Sequence, residues 1–276
     1  MQQNKLIEYL TYGALLFLAV SILFPIYWIL NTSLKDVSSI FSYPPKFIPE
    51  SITFKNYLSG FFGSRMLRYF LNSLKVSIAA IILTLIVATH AGYAAARYKF
   101  QGKKEVLFLL LSTSMIPGIA ILVPLYIISA GLGLYDKHIT LILIYSAWQS
   151  PQIVWIMKSF FESIPKDMEE AALIDGCSPL GAFYRIALPM AQPGIAASAI
   201  IVFVYTWNEF LIAYTLTSST DQRLLTTGLY FTMTAQGIDW GALSAATIVS
   251  LVPITILFFF MQKRFIQGLT SGATKG

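Results

Sequence analysis

Six stretches of about twenty apolar residues, parted by more polar links, constrain this chain more than any other feature. They occupy residues 11–30, 74–96, 106–130, 139–157, 195–216 and 242–261. At a rise of 1.5 Å per residue, roughly twenty helical residues cross a hydrocarbon core about 30 Å thick. Every backbone polar group at that depth needs an internal partner, and continuous apolar runs meet the need as helices. A transmembrane β-barrel would instead alternate apolar and polar residues over shorter segments. Only 12% of the 276 residues are charged, against about a quarter in a soluble domain. The predicted class is an all-α membrane protein with six transmembrane helices, forming one domain over residues 1–276.

The net charge of +6 does not point to nucleic acid, because the basic residues cluster beside apolar runs. That pattern sets topology in a lipid membrane. Arg97, Lys99, Lys103 and Lys104 fill the second link, and Lys263 and Arg264 follow the sixth stretch. The third and fifth links hold only Lys137 and Arg223. Both termini are therefore expected in the cytoplasm. The first link, residues 31–73, carries Lys35, Lys46, Lys55, Arg65 and Arg68, and it is long enough to translocate with them. Lys5 precedes an apolar run too long for a signal sequence, which reads as a retained first span. Cys177 is the only cysteine, so no internal disulfide or multi-cysteine metal site is expected. His90 and His138 lack metal-type spacing.

The first link also contains Tyr43-Pro44-Pro45 and Pro49, an extended segment. Beyond it, Phe54, Tyr57, Leu58, Phe61 and Phe62 recur at helical spacing. They fit an interfacial helix, or a short helix packed on the external ends of the spans. Pro25, Pro117, Pro124, Pro151 and Pro253 fall within apolar stretches and are expected to kink them.

One polar island, residues 163–189, reads as two short helices joined by a turn. Pro165 suits a helix start, and Asp167, Glu169 and Glu170 complement the helix dipole in the first turns. Met168, Ala171, Ala172 and Asp175 share one mostly small, flat face. Gly176 can end the helix in the left-handed conformation. Ser178 caps the second helix with Pro179 at its first position. Leu180, Phe183, Tyr184, Ala187 and Leu188 supply its apolar surface, and Pro189 stops it. A small acidic knob of this kind fits a groove on another protein. A helix lying on anionic lipid would instead be basic.

The same island reads Glu170-Ala171-Ala172, then Gly176, then Ile186-Ala187-Leu188-Pro189. This spacing resembles the EAA signature of inner-membrane permease subunits of binding-protein-dependent ABC importers. Such a set of identities arises by chance about once in 10^8 starting points at average residue usage. Trp207-Asn208-Glu209-Phe210-Leu211 and the ending Gly268 to Gly276 are similar to the carbohydrate branch, in particular to the G-type permease of the maltose importer. The resemblance implies a type I ABC importer permease with a cytoplasmic coupling helix, located in a bacterial inner membrane. It implies that Glu170, Ala171, Ala172, Asp175, Gly176, Ile186, Leu188 and Pro189 form the ATPase-coupling region. The tail, with Gly268, Gly272 and Gly276, would reach between two ATPase subunits. The implied partners are a homologous second permease, two copies of a cytoplasmic ABC ATPase and an extracytoplasmic solute-binding protein. The chain has no G-x-x-x-x-G-K-[ST] phosphate loop. It is thus expected to bind no cofactor and to catalyse nothing itself, with ATP and Mg used by the partner ATPase.

Polar groups inside a membrane are costly and invite a functional reading. Gln149 and Gln152 beside Trp148 in the fourth stretch, and Asn208 in the fifth, offer amides beside aromatic faces, as a sugar path requires. Interhelical hydrogen bonding would use the same residue types, and Glu209 reads as a structural partner. The family's external loop between spans five and six corresponds to residues 217–241, with Ser218, Ser219, Thr220 and Gly237 as small elements. The solute expected is a sugar, or alternatively a non-sugar such as glycerol phosphate. A secondary transporter would show internal repeats and ion-coupling acids, and an intramembrane enzyme a catalytic motif. Neither pattern is apparent.

Overall fold

The computed structural model describes residues 2–234 and 237–273. It is helical almost throughout. Among the described residues, four helices contain stretches long and apolar enough to cross a membrane: α1 (Gln2–Ser33), α3 (Met66–Arg97), α6 (His138–Ser163) and α13 (Trp240–Ala273). Two bent pairs raise the number to six if each pair is one span. A short α2 (Val37–Ile40) follows α1.

The third apolar stretch is not one straight helix. It consists of α4 (Lys103–Thr113) and a run of Gly118–Gly131 that ends in α5 (Leu122–Gly131), meeting at 92°. Pro117 explains the corner, since the residue before a proline is driven out of helical geometry and Pro117 itself is extended, at ψ 124°. Pro124 lies in the first turn of α5, where its missing N–H costs nothing. The fifth stretch is interrupted as well. Helix α10 (Gln192–Asn208) ends before an extended Glu209, and α11 (Leu211–Leu216) restarts the chain.

The chain divides into two compact units. One comprises the residues up to Phe70 together with Gly228–Val252. Here the proline-rich segment is tied to the end of α1. Lys35 Nζ and Asn31 Nδ2 both donate to the Lys46 carbonyl, and Tyr27 donates to that of Phe47. Asn56 Nδ2 donates to the Ser33 and Lys35 carbonyls at 2.9 Å each. A π-helical turn at Asn56–Phe62 buries Phe61 and leaves Phe54, Leu58 and Phe62 exposed. Of the five residues expected on one helix face, Phe61 therefore packs on the protein, Tyr57 is half-buried and the other three face outward. A side chain at Gly241 would strike the Asn56 amide at 2.7 Å, so α13 starts flush against this turn. Helix α12 (Leu225–Phe231) and a two-residue antiparallel pair, β1 (Met233–Thr234) with β2 (Gly237–Ile238), precede α13.

The other unit runs over Leu71–Thr227 and resumes at Pro253. Within it, α3 packs closely on α6. Ser77, Ala80, Thr84, Ala88 and Gly92 repeat along α3 at four- and three-residue steps, and small residues let helix backbones approach closely. Ser146 donates to the Ala80 carbonyl at 3.2 Å. A Cβ on Gly92 would lie 2.8 Å from the Met157 Cβ and 2.9 Å from the Lys158 nitrogen. Ala88, Ile153, Val154, Met157, Phe161, Phe183 and Val202 form one buried cluster. Val76, Ala80, Leu141, Tyr145, Ile212 and Leu216 form a second toward the other end of α3.

Candidate functional site

The polar island folds as α7 (Asp167–Ile174), α8 (Pro179–Ala182), a π turn at Phe183–Ala187 and α9 (Leu188–Met190). Gly176, at φ +89°, ends α7. Its N–H reaches the Leu173 carbonyl, and that of Cys177 reaches Ala172 at 2.9 Å. These two bonds make the paired closure that a left-handed residue permits. Ser178 caps α8 by accepting from Gly181 N at 3.1 Å, with Pro179 at the first position. Pro189 does not stop the helical run. It sits in the first turn of α9, where proline is tolerated, and the chain turns 72° just beyond, between Met190 and Gln192.

The faces of α7 are split sharply. Glu170, Ala171, Leu173, Ile174 and Asp175 are exposed, Ile174 to 86%. Leu180 projects beside them from α8. Of the expected face, Met168, Ala171 and Asp175 are exposed, whereas Ala172 is buried. Ala172 instead shares the inward stripe with Glu169, three residues back. Of the following segment, Phe183 and Ala187 are buried, whereas Tyr184 is exposed and Ile186 and Leu188 are half-buried.

Glu169 has a role that the sequence reading missed. It is 7% exposed. Its Oε1 accepts from Arg97 Nε at 2.8 Å and Nη2 at 2.6 Å, and its Oε2 accepts from Tyr93 OH at 2.6 Å. Arg97 Nη2 also donates to the Ile164 carbonyl at 3.0 Å. Tyr93 and Arg97 lie one turn apart at the end of α3, where a cation complements the helix dipole. His90, one turn earlier still, bonds Tyr184 OH at 2.8 Å. The available signal was weak: an arginine closing a long apolar helix, with two neighbouring glutamates in the island and no way to rank them.

A second site lies between α6 and α10. Ser114, Trp148, Gln149, Gln152, Ile200, Ile201, Val204 and Tyr205 line a cavity of about 530 Å³. Its polar groups are amides, a hydroxyl, a phenol and an indole, with no charged side chain among the described residues that line it. Gln149 is 5% exposed, while Gln152 is open to the space. Neither amide finds a hydrogen-bond partner in the protein among the described residues. Asn208 is not among these lining residues, and its Nδ2 donates to the Val204 carbonyl at 2.7 Å. Tyr205 and Ser114 were not singled out from sequence, where each is one of many polar residues in an apolar run.

Glu209 sits at the break between α10 and α11. Its Oε1 accepts from Ile212 N at 2.9 Å. Its Oε2 accepts from Ala213 N at 3.1 Å and from Tyr145 OH at 2.7 Å. The interrupted helix thus supplies the donors that hold the carboxylate.

At the end of α3 away from Arg97, the loop after α11 is strapped down. Asn72 Nδ2 donates to the Asp221 and Arg223 carbonyls, and the Leu225 N–H donates to Ser73 Oγ. Asp136 Oδ1 accepts from Ser218 N and Ser219 N at 2.9 and 3.1 Å. Burial alone would raise the Asp136 carboxyl. The hydrogen bonds from Ser219 and Ser218, helped by His138, outweigh burial and hold it below the usual carboxylate range. Of the tail residues, Gly268 and Gly272 lie within the continuous helix α13, whose backbone runs to Ala273. Gly276 lies outside the described residues.

Comparison with known proteins gives these sites a context. Residues 88–271 match the family model described as binding-protein-dependent transport system inner membrane component. The sulfoquinovosyl glycerol transport system permease protein SmoH of Agrobacterium fabrum is 36% identical over 259 residues, covering 94% of this chain and 91% of the relative. The trehalose transport system permease protein SugB of Mycobacterium tuberculosis is 34% identical over 256 residues, covering 92% and 93%. Among solved structures, a bacterial ABC transporter involved in the import of the acidic polysaccharide alginate superposes with a TM-score of 0.85 at 20% identity, covering 96% of this chain and 98% of that one. This last likeness is one of fold. Family model and relatives each span most of the sequence, and the chain belongs to the family of inner-membrane components of binding-protein-dependent transport systems, as a multi-pass permease subunit.

Proposed function

We propose that this permease is one half of the translocation path of an ATP-driven importer for an uncharged sugar. The observation that carries the sugar reading is the cavity between α6 and α10. Two amides without protein partners stand there beside the Trp148 indole and the Tyr205 phenol. Sugars present hydroxyls and apolar C–H faces, and such a lining meets both. The names of relatives for trehalose and for sulfoquinovosyl glycerol support a carbohydrate solute, and of these two only trehalose is uncharged. A glycerol phosphate importer is the second reading. It would need cationic contacts, and none of the described lining residues is charged.

In this reading both termini face the cytoplasm, and α7 to α9 form the element that docks on a separate ABC ATPase. Glu170 and Asp175 offer charge, Ala171 allows close approach, and Ile174 and Leu180 supply exposed apolar surface that docking would bury. Ile186, Leu188 and Pro189 support the knob from behind. The C-terminal residues, with Gly268, Gly272 and Gly276, reach the same ATPase. ATP and Mg are consumed by that partner, two copies of which pair with this chain and a homologous second permease. An extracytoplasmic solute-binding protein delivers the solute, and the permease itself catalyses no reaction.

Reconstitution with its ATPase, second permease and binding protein tests the proposal. Uptake of labelled neutral di- and trisaccharides is expected, and uptake of glycerol 3-phosphate alone would overturn the sugar reading. Gln149→Ala and Gln152→Ala should each raise KM for uptake by about 5- to 10-fold, as for one lost hydrogen bond. Glu170→Lys should release the ATPase from the purified complex. Undiminished co-purification would remove α7 as the docking element.

A further inference from the structure

The docking face of α7 explains how force would arrive at the permease, but not how it would leave α7 for the membrane helices. The Glu169 cluster offers that route. Arg97 is the last residue of α3, a helix of 32 residues that is about 48 Å long at 1.5 Å per residue. Its guanidinium grips Glu169 within α7 and also the Ile164 carbonyl in the connection leading into α7. Tyr93 binds the other carboxylate oxygen, and its ring packs on Phe161 of α6 and on Phe183 beyond α8, at 5.3 and 4.6 Å. Four elements therefore converge on one ion pair whose side chains are only 8% and 9% exposed.

We propose that Glu169 is a positioning residue that makes α7 and α3 move as one lever. A displacement imposed on α7 would then reach the membrane through the Arg97–Glu169–Tyr93 cluster. The proposal rests on the reading of α7 as the ATPase-docking element. The physical argument is one of stiffness. Apolar contacts such as Ala172 against its neighbours can slide at little cost. Two guanidinium N–H groups converging on Oε1, with the Tyr93 hydroxyl on Oε2, fix the carboxylate from both sides, and parting them leaves a buried charge uncompensated. Glu169 and Glu170 thus divide the work, one facing the partner and the other facing the bundle.

The test uses the whole complex in proteoliposomes with its ATPase and binding protein, reading solute moved per ATP hydrolysed. Glu169→Gln keeps the shape and removes the charge. The ratio should fall by about 5-fold or more, the lower range of an allosteric coupling, in complexes that still contain the ATPase. Arg97→Lys, which keeps the charge but loses the fork, should fall less. The swapped pair, Arg97→Glu with Glu169→Arg, should recover part of the ratio lost in either single exchange, which a role in folding yield alone would not produce. A wild-type ratio in Glu169→Gln overturns the lever. So does loss of the ATPase from that variant, which would make Glu169 a docking residue. Failure of the docking reading is seen separately, as ATPase retention in Glu170→Lys.

Discussion

Two inward-facing carboxylates, Glu169 in the polar island and Glu209 at the break in the fifth apolar stretch, are held by different physics. Glu169 meets a full positive charge, the Arg97 fork, with Tyr93 on its second oxygen. Glu209 meets no lysine or arginine among the described residues. Two N–H groups from the first turn of α11 and the Tyr145 hydroxyl hold it instead. The difference follows position. At the end of α3 an arginine complements the helix dipole, whereas a second buried charge within the apolar stretch would be costly. There the broken helix supplies dipoles in place of a cation. The first arrangement joins two elements that are far apart in sequence, while the second mainly stabilises a local break.

The comparison is strained most at Arg97. Arg97→Ala leaves Glu169 buried without its cation, and a loss of about 3–5 kcal/mol is expected, seen as a lowered Tm of the purified protein in detergent. A loss below about 1 kcal/mol, the size of an exposed pair, would mean that water already screens the carboxylate. Glu209→Ala should cost less, about 1–2 kcal/mol, as for a lost helix cap, and Glu209→Gln less again because an acceptor remains. Equal losses for Arg97→Ala and Glu209→Gln would erase the distinction drawn between the two sites.

Asp136 sharpens the same contrast with the smallest effect. Like Glu209 it is held by backbone N–H groups, but it lies outside the apolar stretches. Its carboxyl is held below the usual range, so the folded state favours the charged form. That stability is fully present above the unfolded pKa of about 3.9 and is lost as pH falls through the lower folded value. Asp136→Asn should therefore lower Tm at pH 7 by an amount worth about 1 kcal/mol. The gap from the wild type should close below about pH 4. A gap that persisted at acid pH would assign the effect to packing rather than to charge.

Much of the site was legible locally. Gly176, Ser178 and Pro179 announce a helix, a left-handed stop and a capped restart through their own backbone preferences, and α7 and α8 follow them. Pro117 likewise marked a disturbance, but not its size. A proline forbids a straight helix, and the packing of its neighbours decides between a kink and a right-angled corner. Gln149 and Gln152 were open to two uses from sequence, since a buried amide serves a partner helix or a cavity equally well. Their unpartnered amides beside a cavity favour the second use, whereas the Asn208 amide is engaged by its own helix.

The sequence by itself determined the membrane class, the helical character and the acidic, capped shape of the island. Each of these depends on hydrophobicity and backbone preference summed over neighbouring residues. Only the tertiary structure decided which of two adjacent glutamates faces inward and which alanine of the pair is buried. It also decided that a carboxylate in an apolar stretch could be held by a broken helix. Those choices are made by Arg97, 72 residues from Glu169, and by Tyr145, 64 residues from Glu209. At such separations, the packing of α3 against the island and of α6 against α10 and α11 brings the partners together, and no local pattern encodes the meeting.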